Sequence, residues 1–229
     1  MLSIIQTFLK KQVVNPLVDV IFPPLCYICE SCLQPGQKII CESCWHKIPE
    51  FNGQLDQSLS KRTFDKLFVL FEFEDTIRQL IHLLKYKRYL TLASYFAIEA
   101  NTRFDFCHHN PYDEIIPVPL HPTRKRERGY NQSEEIAVAL GSIISIPVKS
   151  EHLTRIRITS TQTRLTENER DMNVSGAFKC NAKLSKKNIL LIDDVITTGS
   201  TVEACLKVLK DAGAERVDIL VIAHPLRIN

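Results

Sequence analysis

Hydrophobic positions along the chain fall into short runs separated by polar turns, and the most informative run is Ile189-Leu190-Leu191-Ile192. Continuous apolar runs, rather than alternation, mark strands covered on both faces. Behind this strand come Asp193 and Asp194, then Val195-Ile196 and a loop of hydroxyls and glycine, Thr197-Thr198-Gly199-Ser200-Thr201. From Thr201 onward, Val202, Cys205, Leu206 and Leu209 recur at helical spacing, and Gly213 follows the helix at the position of a C-terminal stop. Arg216–Ala223 is a last apolar strand.

Upstream, Leu67–Phe73 alternates loosely as a strand, Ile77, Leu80, Ile81 and Leu84 mark a helix over Thr76–Lys87, and Leu90–Asn101 has helical character. Glu114–Val118 is a short apolar strand ended by Pro117 and Pro119. Asn131 is placed to cap a helix running to Leu140, with Glu134 closing a capping box and Gly141 at its end. Ile146–Lys149 is a weaker strand. Strands alternating with helices predict an α/β fold, a parallel sheet with helices on both faces, and a ligand site beyond the carboxyl ends of the strands.

The Asp193 segment carries chemistry as well as structure. Loop N–H groups and the positive end of the following helix can hold a phosphate, with the Thr and Ser hydroxyls as further donors. Two carboxylates repel that phosphate; they suit the hydroxyls of an attached sugar, or a hydrated Mg²⁺ bridging other phosphates. A sugar phosphate with vicinal hydroxyls meets both requirements.

Near the start, Cys26-x₂-Cys29 is followed by Cys41-x₂-Cys44 with 11 residues between the pairs. Two such knuckles can place four thiolates around Zn²⁺, and all-Cys ligation reads as a closed, structural site. A disulfide framework is the competing reading; five of the eight cysteines within nineteen residues favour metal. Cys32 offers an alternative knuckle with Cys29 and is taken as the spare, and His46 is a weaker substitute ligand. A zinc ion would fold a segment too small to build its own core.

The 229 residues are 45% hydrophobic and 24% charged, ordinary for a globular chain, and the net charge of +3 is too mild to declare a nucleic-acid binder. The charge is unevenly spread: His121–Lys187 holds 13 Lys/Arg against 7 Asp/Glu, in the half that carries the phosphate motif. No apolar run reaches the ~18–20 residues of a membrane-spanning helix. Met1–Val20 lacks the basic lead and cleavage site of a secretory signal, so the cytoplasm is expected. Two polar segments stand out. His121-Pro-Thr-Arg124-Lys-Arg126-Glu-Arg128-Gly129 reads as a basic loop between strand and helix. Leu153 to Phe178, with Arg155, Arg157 and Arg170, is too long and polar for an idle connection, since loops of that length are usually functional or disordered.

The strand–Asp-Asp–hydroxyl-loop–helix arrangement resembles the phosphoribosyl-pyrophosphate (PRPP) signature of type I phosphoribosyltransferases. Taken with the cysteine knuckles, "PVPLHPTRKRERGYNQSE" and "LTRIRITSTQTRLTENERDMNVSGAF", in that order in one chain, it resembles the ComF family of competence-associated phosphoribosyltransferase-like proteins. Arg164, where a small residue is common, and the extra Cys32 depart from the family pattern. The resemblance implies a type I phosphoribosyltransferase-like α/β domain over 66–229, a Cys₄ zinc ribbon over 23–50 and an N-terminal helix over 1–22. It implies that Asp193 and Asp194 meet the ribose and that Thr197, Thr198, Gly199, Ser200 and Thr201 cradle the 5-phosphate. Arg124, Arg126 or Arg128 would meet pyrophosphate with Mg²⁺, under a closing loop that brings Arg155, Arg157 or Arg170. It further implies a role in DNA uptake, with single-stranded DNA and a helicase as partners. The alternative is transfer of ribose 5-phosphate from PRPP to a nitrogen acceptor. The basic segments contain few aromatics for stacking bases, only Tyr130 and Phe178. Tyr27, Trp45 and Phe51 are the stacking candidates in and beside the ribbon.

Overall fold

A computed structural model describes residues 23–53, 64–107, 111–157 and 174–225. The expectations for the helix over 1–22, for Arg164 and for Arg170 lie outside those residues. The chain divides into two compact units, one ending at Pro49 and one starting at Glu50.

In the first unit, Leu25 and Cys32 form an antiparallel bridge, and between them the Glu30 N–H closes a turn onto the Cys26 carbonyl at 2.9 Å. A single helical turn, α1 (Glu42–Trp45), starts directly behind Cys41. The apolar interior comprises little beyond Cys26, Leu33, Ile39, Ile40 and Ile48.

The second unit is built on four parallel strands in the order β1-β6-β5-β2, with β1 Lys66–Glu72, β2 Glu114–Pro117, β5 Asn188–Val195 and β6 Arg216–His224. Helices α2 (Asp75–Tyr86) and α3 (Thr91–Phe104) connect β1 to β2; α6 (Ser200–Asp211) connects β5 to β6. Burial on both faces explains the unbroken apolar runs. Ile189, Leu191, Val217, Ile219 and Val221 share a core with Val202, Cys205, Leu206 and Leu209 of α6. The alternate residues Leu190, Ile192, Leu220 and Ile222 are equally buried.

Between β2 and β5 the chain departs from its sequence-based expectation in four places. The basic stretch is not a loop: Pro122–Arg128 is helix α4, with Pro at its first turn and the His121 ring accepting the Thr123 N–H at 3.2 Å. Helix α5 (Gln132–Ile144) is capped by Asn131, which accepts the Ser133 N–H, but Glu134 pairs with Lys125 at 2.8 Å instead of closing a capping box. The helix runs through Gly141 and stops at Ser145, which takes the left-handed conformation. Gly141 serves close packing: a Cβ there would lie 2.7 Å from the Ile146 carbonyl oxygen and 2.9 Å from Val148 Cγ2. Ile146–Lys149 forms no strand, only one parallel bridge from Val148 to Ile115. A 3₁₀ turn, Ser150–His152, leads into the long polar segment, whose ends are β3 (Leu153–Arg155) and β4 (Phe178–Cys180), paired antiparallel.

Candidate active site and candidate metal centre

At the carboxyl end of β5, Asp193 and Asp194 are the last paired polar residues before the chain turns. Asp193 accepts the Ser133 hydroxyl at 3.0 Å and the Asp194 N–H at 2.9 Å, so the first turn of α5 and the end of β5 orient it together. Loss of solvation, then the adjacent Asp194 charge, pushes the Asp193 carboxyl up to about 7. Asp194 is buried and meets Lys85 Nζ at 2.6 Å. Asp194 thus has a cation beside it, while desolvation and the Asp194 charge disfavour ionisation of Asp193.

Lys85 escaped the sequence reading. It sits in the last turn of an amphipathic helix, where a lysine ordinarily faces water, and only the tertiary fold delivers it to Asp194. That delivery is secured by Tyr130, whose buried hydroxyl donates to the Leu84 carbonyl, and by Asn131, whose side-chain amide donates to the Val118 carbonyl at 3.0 Å. The α4–α5 junction therefore fastens the end of α2 to the end of β2.

The hydroxyl loop follows β5 directly. Gly199 takes φ +78°, a left-handed turn that costs glycine least, and Ser200 begins α6. Thr198 and Ser200 are buried with their hydroxyls 2.9 Å apart, while Thr197 is exposed and Thr201 half-buried. Backbone N–H groups at the start of a twelve-residue helix supply the donors of an anion site.

The arginines divide. Arg155, at the end of β3, is buried with its guanidinium 5.3 Å from the centre of the Phe178 ring. Burial, then the nearby charge of Arg124, lowers its pKa, while Cys205 and Asp193 act in the opposite sense. Arg155 and Arg126 line one groove of about 520 Å³ between α4 and the β3–β4 pair, with Pro119, Leu120 and Gly129 among its other walls. Arg157 is spent locally, donating to the Ser175 carbonyl at 2.9 Å. Arg128 turns toward α2: it donates to Gln132, and its guanidinium lies 4.9 Å from the centre of the Tyr86 ring.

In the first unit, the Sγ atoms of Cys26, Cys29, Cys41 and Cys44 all lie within 4.8 Å of one another. Cys32 and His46 are not part of this group. Zinc–sulfur bonds of about 2.3 Å set tetrahedral sulfurs roughly 3.8 Å apart, and Cys29 and Cys41 stand at 3.7 Å. The Cys41 N–H donates to Cys26 Sγ at 3.4 Å, and hydrogen bonds from Ser31 draw the Cys29 thiol down to about 6. Desolvation and the three neighbouring sulfurs push Cys44 up to about 12, the crowding of thiolates that a dication relieves. The donor set fits a metal ion such as zinc.

A phosphoribosyl transferase domain model matches residues 127–227, which span α5, the β3–β4 pair, the Asp193 loop and β6. Across nearly its whole length the chain is also similar to the DNA utilization protein YhgH of Escherichia coli K12, at 28% identity over 89% of this chain and 98% of that protein. Competence protein F of Haemophilus influenzae is 27% identical over 87% of this chain and 96% of its own length. These similarities bear out the resemblance to the ComF family. A third ComF relative, competence protein ComFC of Bacillus subtilis, is 22% identical over 82% of this chain and 90% of its own. The ComF-family match spans the four-cysteine unit as well as the phosphoribosyltransferase-like domain. No helix among the described residues is long and apolar enough to cross a membrane.

Proposed function

We propose that this protein binds PRPP with Mg²⁺ at the carboxyl end of β5 and acts in DNA uptake as an accessory factor that handles single-stranded DNA. The observation that carries the ligand is the succession Asp193, Asp194, Thr197–Thr201 at a strand–helix turn, with Arg155 close enough to feel the charges of both Asp193 and Arg124. Asp193 and Asp194 suit sugar hydroxyls, and the loop N–H groups with Thr198, Ser200 and Thr201 suit the 5-phosphate. Two mutually repelling guanidiniums suit pyrophosphate, because a polyanion between them removes the repulsion. Arg126 extends that positive wall, and Mg²⁺ would complete neutralisation of the pyrophosphate. The names of the relatives support the role in DNA uptake, and a helicase is the partner that the family resemblance suggests. The four cysteines would hold a structural Zn²⁺, and the cytoplasm is the compartment this reading requires.

A second reading is phosphoribosyl transfer to a nitrogen acceptor. It is favoured by the same site, in which the chain's own groups could stabilise a departing pyrophosphate by charge alone. Calorimetric titration of Mg²⁺·PRPP into the zinc-loaded protein tests the shared ligand, with Asp193→Asn/Asp194→Asn as control. Saturable binding that the double variant loses is expected. Absence of binding at millimolar PRPP overturns both readings of the site. Pyrophosphate release with candidate acceptors then separates an enzyme from a binding protein.

A further inference from the structure

Five large apolar side chains are exposed in the second unit among the described residues, and three of them, Tyr86, Tyr89 and Leu90, fall within five consecutive positions. The whole stretch from Tyr86 to Leu90 is exposed, with Lys87 and Arg88 between the rings. Tyr86 is 61% accessible and Tyr89 42%, so both rings meet solvent side by side with cations. The adjoining end of α4 adds Arg128. The two segments meet directly: Arg128 lies over the Tyr86 ring, and Arg88 Nη2 would be 3.2 Å from a Cβ placed on Gly129.

This patch is held in place. The Tyr130 hydroxyl fixes Leu84, two residues ahead of Tyr86, and His82 packs against Tyr86 with ring centres 4.8 Å apart. The neighbouring residue is Lys85, on Asp194. The patch therefore borders the phosphate site without belonging to it. The sequence alone suggested that the basic segments lack stacking partners; the fold supplies them from α2, some forty residues upstream of α4.

We propose that Tyr86 and Tyr89, with Lys87, Arg88 and Arg128, form a stacking platform for single-stranded nucleic acid beside the phosphate site. The proposal rests on the reading that this protein handles a single strand, and it says where the strand lies. Every base has a π-face that an aromatic ring can meet regardless of sequence, while interleaved cations follow the phosphates. Arg128 has a defined part: its guanidinium covers Tyr86 in the free protein, and a base taking that face releases it toward a phosphate. A duplex, whose bases are already stacked on each other, has no face to offer.

The test is fluorescence anisotropy of a labelled oligothymidylate at fixed salt, using the full zinc-loaded chain. Tyr86→Ala/Tyr89→Ala is expected to weaken binding by at least about tenfold, and Tyr86→Phe/Tyr89→Phe, which keeps both rings, to bind within about threefold of wild type. Calorimetric PRPP binding by the alanine variant should be unchanged, which also shows that its fold is intact. Wild-type binding that both variants retain would overturn the platform while leaving single-strand handling standing. A wild type that binds no oligonucleotide even at low salt would overturn that reading, and the platform with it. Equal binding of duplex and single strand would reduce the patch to a charge surface and likewise overturn stacking.

Discussion

Asp193 shows how one residue's surroundings set its chemistry. Its carboxyl titrates near 7 in the fold because desolvation and the Asp194 charge oppose ionisation, whereas an unfolded aspartate titrates near 4. Between those values the folded state holds the extra proton, so this group's stabilising contribution is full below about pH 4 and declines until about pH 7. Asp193→Asn removes the term. The variant is expected to gain about 2–3 kcal/mol relative to wild type on going from pH 5 to pH 8, measured by urea denaturation at both values; an unchanged difference would mean that Asp193 titrates normally. The same residue explains what the sequence could and could not tell. Two aspartates before a hydroxyl-rich turn are legible as a sugar-phosphate motif, because each group's preference is local. Their inequality is not legible, since Ser133 and Lys85 come from helices 60 and 109 positions away in the chain.

At the scale of elements, strands and amphipathic helices were readable because both faces of the sheet are covered and the apolar spacing reports it. Errors arose where backbone signals were ambiguous. Gly141 looks like a helix stop, yet it is a packing position, since a glycine can end a helix or admit a neighbouring chain. Its mutation should reveal which. Alanine is the better helix former by about 1 kcal/mol, but its Cβ would press on a backbone carbonyl that cannot swing aside. Gly141→Ala is expected to cost about 1–3 kcal/mol in thermal or urea unfolding; a stabilised variant would show that Ile146 yields. Helix α4 was missed for another reason. Four like charges in seven residues suggest a solvated loop, but Pro122 at the first turn, the His121 cap and the Lys125–Glu134 pair hold them in a helix. Its arginines are consequently sorted: Arg126 toward the groove with Arg155, Arg128 onto Tyr86.

For the molecule as a whole, the two units rest on different sources of stability. The sheet unit buries apolar residues on both faces; the cysteine unit has only a handful, and a metal held by its four cysteines would compensate for the entropy of ordering. One zinc per chain is expected in the purified protein. Chelation should open residues 23–49 to protease while the sheet unit still unfolds in a single cooperative transition, as followed by proteolysis with mass spectrometry and by calorimetry. Protection that survives complete metal removal would mean that the cysteine unit folds on its apolar residues alone. The spacing of the knuckles made this unit legible from the sequence; the choice among Cys26, Cys29 and Cys32 needed the turn that brings Cys26 and Cys29 to the second knuckle and leaves Cys32 on the bridge with Leu25.

The strand order also has a consequence for synthesis. β6 is the last of the described strands along the chain, yet it lies between β5 and β1, pairing with Lys66–Glu72 on one side and Asn188–Val195 on the other. Until it emerges from the ribosome, β1 has no neighbouring strand among the described ones and the β5–β2 pair keeps an open edge. Assembly must wait for closure over roughly 150 residues, a slow step by its topology. The newly made chain is therefore exposed to aggregation for most of its translation. Any truncation upstream of Arg216 should leave not a weakened protein but two unjoined halves.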